Sequence, residues 1–145
     1  MIAVVQRVLS ASVEVQDEDI ASIGFGLLVL LGVHRDDTEP DLDYTLRKTL
    51  GLRIFGQPGK ERSIVDVGGE LLVVSQFTLL ADVRKGRRPG YSNAAAGEAA
   101  QTMYERFVVE AQRHVQTATG RFGASMHVRS VNQGPFTILI DSHQR

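Results

Sequence analysis

The hydrophobic pattern of the chain alternates between strand-like runs and two stretches of helical period. Ile2 to Val8 (IAVVQRV) is mostly apolar and reads as a strand, and Ser12 to Val15 alternates as a short partner would. Asp17-Glu18-Asp19 between this region and the next reads as a solvated acidic turn. Gly26 to Val33 (GLLVLLGV) is continuously apolar, the pattern of a strand buried on both faces. At Asp36-Asp37-Thr38-Glu39-Pro40 the period changes. An N-cap candidate, early acids and a proline suited to the first turn predict a helix that turns Leu42, Leu46 and Leu50 inward and ends near Gly51.

Leu52 to Phe55 reads as a brief strand closed by Gly56-Gln57-Pro58-Gly59, and Ile64, Val65 and Val67 as a minor strand before Gly68-Gly69. Glu70 to Leu80 (ELLVVSQFTLL) carries the clearest strand pattern in the chain. Gly97 to about Val115 is the best helix, with Ala100, Met103, Tyr104, Phe107, Val108, Ala111 and Val115 on one stripe that belongs to the core. Met126 to Val131 and Phe136 to Ile140 read as strands on either side of Gly134-Pro135. Proline cannot donate to a sheet ladder, so this dipeptide marks either a tight hairpin turn or a backbone shaped for a purpose. Strands at both ends and helices between predict an α+β fold. It forms one domain over residues 1–145, a mixed or antiparallel, barrel-like sheet covered by two main helices.

Composition narrows the chemistry. The 145 residues are 43% hydrophobic and 23% charged, ordinary for a globular protein, and include no cysteine. Disulfides, thiolate metal sites and cysteine nucleophiles are thereby excluded. His34, His114, His127 and His143 lack metal-ligand spacing, so no metal is expected; His127 reads as structural or surface. The formal net charge of −1 gives no global field for nucleic acid, but residues 82–88 (DVRKGRR) gather Arg84, Lys85, Arg87 and Arg88. That loop is either a phosphate-contacting surface or merely solvated. The amino-terminal residues lack a secretory pattern, and Ile23 to Val33 is too short to span a bilayer, which suggests a soluble cytoplasmic protein.

Several catalytic patterns fail on inspection. Gly51 to Gly56 has phosphate-loop glycine spacing, but Gln57-Pro58 stands where Lys-Ser/Thr is required. Gly24-Phe25-Gly26 begins a dinucleotide fingerprint that Val29 breaks, and Ser75 lacks the flanking glycines of a nucleophile elbow. What remains is Ser75-Gln76-Phe77-Thr78 at the end of an apolar run. Buried hydroxyls and amides need partners, and strand alternation would put Gln76 and Thr78 on one face and Ser75 and Phe77 on the other. An edge strand with one wet face would also produce it. Thr137 sits in a similar apolar frame, and Arg7 is a charge in an apolar strand that needs either an edge-facing ion pair or a role in orienting a pocket.

Ser75-Gln76-Phe77-Thr78 together with Asn132-x-Gly134-Pro135-x-Thr137 resembles the signature pair of the D-aminoacyl-tRNA deacylases. The similarity runs end to end through "QRV", "AS", "GLLVLLGV", "LGLRIF", "LLVVSQFTL", "KGRRP" and "TGRFGA". Gln133, Phe136 and Gly90 depart from the residues usual at those positions, where acidic or small polar, valine-like and serine residues are the rule; these departures bear on substrate preference. The resemblance implies a cytoplasmic homodimeric hydrolase for translation proofreading. It would cleave the ester of D-aminoacyl-tRNA, and of glycyl-tRNA mischarged on tRNA(Ala). Neither cofactor nor metal is implied, nor any membrane or DNA partner.

By the same resemblance, Ser75, Gln76, Phe77 and Thr78 form the catalytic centre. Asn132, Gly134, Pro135, Thr137 and Arg7 belong to chirality selection, with Gly134-Pro135 cis and inserted into the partner subunit's site. Arg84, Lys85, Arg87 and Arg88 would contact tRNA phosphates. An aminoacyl ester is already activated, so backbone N–H donors around Gln76, Phe77 and Thr78 plus a positioned water could suffice. No acid or histidine in the motifs stands ready to activate Thr78 as a nucleophile. The alternatives are a non-catalytic RNA-binding homodimer and a general small-ester hydrolase.

Overall fold

A computed structural model describes residues 1–145. Its strands are β1 (Ile2–Val15), β2 (Glu18–Ile23), β3 (Gly26–Gly32), β4 (Glu70–Ser75), β5 (Thr117–Thr119) and β6 (His127–Asp141). Its helices are α1 (Glu39–Gly51), α2 (Ile64–Val67) and α3 (Gly97–Gln112), and 3-10 turns cover Phe77–Leu80 and Ser142–Gln144.

The long strand β1 organises the sheet. One edge pairs antiparallel with β3 through Ile2 to Val8 and with β2 through Ala11 to Val15, while β6 runs antiparallel along the other edge. Beyond β3 the sheet continues in parallel through β4 to β5, which makes it mixed. It curls until β2 touches β4 and β5, nearly closing a barrel. No helix is long and apolar enough to cross a membrane.

Strand β3 is buried on both faces, as its unbroken apolar run requires. Leu27, Val29 and Leu31 face a core shared with Leu42 and Leu46 of α1 and Tyr104, Phe107 and Ala111 of α3. Leu28 points the other way, into a core with Val8, Val13, Leu72 and Val74. Each such fully buried side chain contributes about 1.5–3 kcal/mol. Helix α1 begins where expected. Thr38 is the N-cap, Pro40 lies in the first turn, and Asp41 accepts from both the Thr38 N–H at 2.9 Å and the Thr38 hydroxyl at 2.8 Å.

Four local expectations are corrected. Residues 70–80 are not one strand: β4 stops at Ser75, and residues 77–80 coil into a 3-10 turn. Ile64 to Val67 is a helical turn rather than a strand, because Ser63 and Asp66 form a reciprocal cap. Leu52 to Phe55 contributes only an isolated bridge between Phe55 and Arg62. The acidic segment is shorter as a turn than its charge suggests: Gln16 and Asp17 take positive φ, and Glu18 already begins β2.

Candidate active site

The site is built at the C-terminal ends of the parallel strands β3 and β4. The Gln76 N–H donates to Leu31 O at 2.8 Å, and there the ladder ends. The chain then turns back over β3 because Gly32 leaves room. A Cβ at Gly32 would lie 2.5 Å from Leu80 Cδ2 and 3.0 Å from Gln76 O. The turn's first hydrogen bond runs from Leu79 N–H to Gln76 O at 3.2 Å. The N–H groups of Phe77 and Thr78 precede that bond and have no partner inside the turn.

This geometry overturns the alternating-face reading of residues 75–78. Ser75, Gln76 and Phe77 all line one cavity, while Thr78 is exposed beside it and donates its hydroxyl to Gln76 Oε1 at 2.7 Å. Amide and hydroxyl do meet, but through the turn rather than through a shared strand face.

The cavity encloses about 390 Å³, near the lower end for small-molecule sites. Its walls come from Val33 after β3, the end of β4, Ala94–Ala95, the first turn of α3 at Gly97, and Phe122 and Met126. None of its lining side chains is an acid, a base or a nucleophilic thiol. Helix α3 starts at the wall with Ala96 as N-cap and no side-chain cap, and Glu98 is the acid in its first turn. Tyr104 supports the Phe122 wall, with ring centroids 5.7 Å apart, and donates its hydroxyl to Val73 O at 2.9 Å. Burial pushes the Tyr104 phenol above its usual range and keeps it a donor.

Tyr91, Phe122 and Met126 escape motif reasoning. Tyr91 packs edge-to-face on Phe77, an exposed residue of the cavity lining, with ring centroids 4.9 Å apart. The available signal was the small-residue stretch at 92–97, whose alanines leave the space that the cavity occupies.

Gly134-Pro135 lies elsewhere. Residues 127–141 form one strand rather than two strands around a hairpin turn, and Gln133 to Phe136 bulge out opposite the single residue Arg7. The Gly134-Pro135 peptide is cis, both residues are exposed, and neither lines the cavity of the same chain. Asn132 spans the base of the bulge, its Nδ2 donating to Arg7 O at 2.9 Å and Phe136 O at 3.1 Å. Thr137 accepts from Gln6 Nε2 at 3.1 Å. Arg7 makes no ion pair. It donates to Ile54 O and stacks on Phe136, and its buried Nε has no partner. The edge-facing salt bridge is therefore absent.

The basic loop is closed by reciprocal backbone bonds between Asp82 and Gly90 at 2.7 and 2.9 Å. Arg84 is tied to Asp82 by two side-chain bonds, at 2.9 and 2.7 Å, which hold the Asp82 carboxyl far below the usual carboxylate range. Lys85, Arg87 and Arg88 remain exposed and make no ion pair. His127 is a surface residue bonded to Glu14 at 2.9 Å, and Arg129 joins the same carboxylate.

The family model for D-Tyr-tRNA(Tyr) deacylase matches residues 4–141. A D-aminoacyl-tRNA deacylase of Clostridioides difficile (strain 630) is 54% identical, over 98% of this chain and 97% of its own length. A protein of the same name from Clostridium botulinum (strain 657 / Type Ba4) is 49% identical over 99% of each. Among solved structures, the c-Myc DNA Unwinding Element Binding Protein superposes with a TM-score of 0.90 at 40% identity, covering 97% of this chain and 98% of that one. A probable eukaryotic D-amino acid tRNA deacylase shares the fold, with a TM-score of 0.80 at 20% identity over 96% and 97% of the chains. With nearly its whole length matched by the family model and by relatives at about half identity, the chain belongs to the D-Tyr-tRNA(Tyr) deacylase family.

Proposed function

We propose that the protein hydrolyses the ester joining a D-amino acid to the terminal adenosine of tRNA. The observation that carries this reading is a small, apolar cavity with no titratable lining, opening beside the turn of Phe77 and Thr78. In the proposed reaction, water attacks the ester carbonyl carbon and the oxyanion forms against the Phe77 and Thr78 N–H groups. The ribose oxygen then leaves with a proton, giving free amino acid and tRNA. The Thr78–Gln76 pair positions the ester or the water. Since the lining supplies no general base, the ribose 2′-hydroxyl of the tRNA assists proton transfer, and no covalent acyl-enzyme forms.

The same reading makes Gly134-Pro135 a chirality filter acting in a homodimer. The dipeptide is exposed away from its own cavity, and β6 pairs only with β1, leaving its other edge open. Exposed Val131 and Leu139 lie on that strand. A second copy docked there would receive the loop at its site, where the Gly134 and Pro135 carbonyls would collide with an L side chain. A D side chain would point into the cavity, and glycine, having none, would pass, including glycine mischarged on tRNA(Ala). Lys85, Arg87 and Arg88 would hold phosphates near the acceptor end, in a soluble proofreading enzyme of the cytoplasm.

Deacylation of D-tyrosyl-tRNA by the purified protein, with its mass measured by sedimentation, tests this reading. Release of D-tyrosine by a dimer supports it. Tight tRNA binding without release would leave an RNA-binding dimer, and equal cleavage of simple amino-acid esters without RNA would leave a general esterase.

A further inference from the structure

His34, Asp37 and His143 converge on one point outside the active site. Each offers one donor atom, and the three atoms lie within 4.8 Å of one another. The residues come from the end of β3, the approach to α1 and the C-terminal 3-10 turn, with Asp37 and His143 separated by 106 positions. Linear spacing therefore gave no sign of the cluster.

We propose that this trio binds a divalent late first-row transition metal ion, Zn²⁺ being the fit of its donors. Two imidazoles and one carboxylate favour zinc or its neighbours over Mg²⁺ or Ca²⁺, which take oxygen ligands. The carboxylate is set before any ion arrives. The Asp37 side chain is fully buried, with Oδ2 accepting the His34 N–H at 2.7 Å and Oδ1 also accepting from the Met1 amino group. Such outer contacts orient a ligand as in established metal sites.

His143 Nε2 already lies 2.8 Å from Asp37 Oδ1. Two ligands on one tetrahedral zinc, with bonds of about 2.0–2.1 Å, stand roughly 3.3 Å apart, so a small widening admits the ion. The His34 and His143 rings lie side by side, centroids 4.7 Å apart and planes tilted by 55°. His143 is 40% exposed, which provides an entry path and leaves a coordination position to water. The Met1 amino group draws on part of the carboxylate's charge, so affinity is on the order of micromolar rather than tighter.

The position gives the ion a structural consequence. His34 forms a bridge with Ala94, and Ala95 N–H donates to Val33 O at 3.0 Å; Val33, Ala94 and Ala95 are all cavity wall. An ion at the trio clamps that wall to the C-terminal turn without touching substrate.

Calorimetric titration of chelator-stripped protein with ZnCl₂ tests the assignment, alongside His34→Gln and His143→Gln. The expected result is one ion per chain and a Tm raised by about 5 °C at saturating zinc. Each substitution should weaken binding by about 100-fold. Should a variant fold poorly, Co²⁺ added to the wild type must broaden the His34 and His143 imidazole resonances and spare His114 and His127. No binding, binding that survives in both variants, or broadening confined to His114 or His127 would overturn the proposal.

Discussion

The Arg7 guanidinium lies 4.2 Å from the centroid of the Phe136 ring, directly across the bulge that carries Gly134 and Pro135. Arg7 has no carboxylate partner; Phe136 and the Ile54 carbonyl are its support on this side. The Gly-Pro loop is thus fastened to β1 by the aromatic face of Phe136. A partly buried cation–π contact of this kind contributes about 1 kcal/mol. Phe136→Ala should lower the preference for D- over L-tyrosyl-tRNA by about tenfold, because a loop free to shift rejects less sharply. Single-turnover hydrolysis of both esters checks this, and an unchanged ratio would separate Phe136 from chirality selection.

The Thr78 hydroxyl and the Gln76 amide, 2.7 Å apart, should act as one unit. Thr78→Ala and Gln76→Ala are each expected to slow single-turnover deacylation by about 10–100-fold, with the double variant little worse than either single one. Rapid-quench analysis of the wild type should find no acyl-enzyme. Multiplicative losses in the double variant would show two separate roles.

The sequence was most legible where one period governed a whole element. The runs 26–33 and 97–115, and the inward leucines of α1, behaved as their spacing requires, since packing and propensity agreed there, although α3 closes at Gln112. The end of β4 was not legible. Nothing in VVSQFTLL says where the ladder stops, because that depends on Gly32 admitting Leu80 and Leu79 from another element. Strand β5 spans only Thr117–Thr119 and exists through its pairing with β4. Ile64, Val65 and Val67 are β-branched and favour a strand, yet the reciprocal Ser63–Asp66 cap turns the segment into a helical turn. At the cavity, Ser75, Gln76 and Phe77 come from a motif visible in the sequence, whereas Phe122 and Met126 reach it only by tertiary placement.

The basic loop divides by charge pairing. Arg84 is occupied with Asp82, whereas Lys85, Arg87 and Arg88 are not. Replacing any of the latter three with alanine should weaken tRNA binding and reduce the slope of log K against log salt by about 0.7–0.9. Arg84→Ala should change the slope less, since it removes a charge that Asp82 already offsets. Equal slope changes for all four would contradict this division.

Acid should destabilise the protein partly through Asp41. Burial raises its pKa, but hydrogen bonds from the Thr38 N–H and hydroxyl and from Ser142, with the Met1 amino charge, overcome this and hold it at about 2, below its ordinary 3.8. A depressed folded-state value means stability present at neutral pH and lost as pH falls through about 4 towards 2. Asp41→Asn should cost about 1 kcal/mol at pH 7 by weakening the cap. It should also flatten the melting curve's pH dependence in that window; parallel wild-type and variant profiles would exclude Asp41 as the source.

In the proposed function the site removes D-amino acids from tRNA and excludes L-amino acids by collision. The most direct measurement is single-turnover hydrolysis of matched D-tyrosyl-, L-tyrosyl- and glycyl-tRNA by the purified protein. Rapid loss of the D and glycyl esters with the L ester spared is the predicted result. Equal hydrolysis of all three, or none of any, would contradict it.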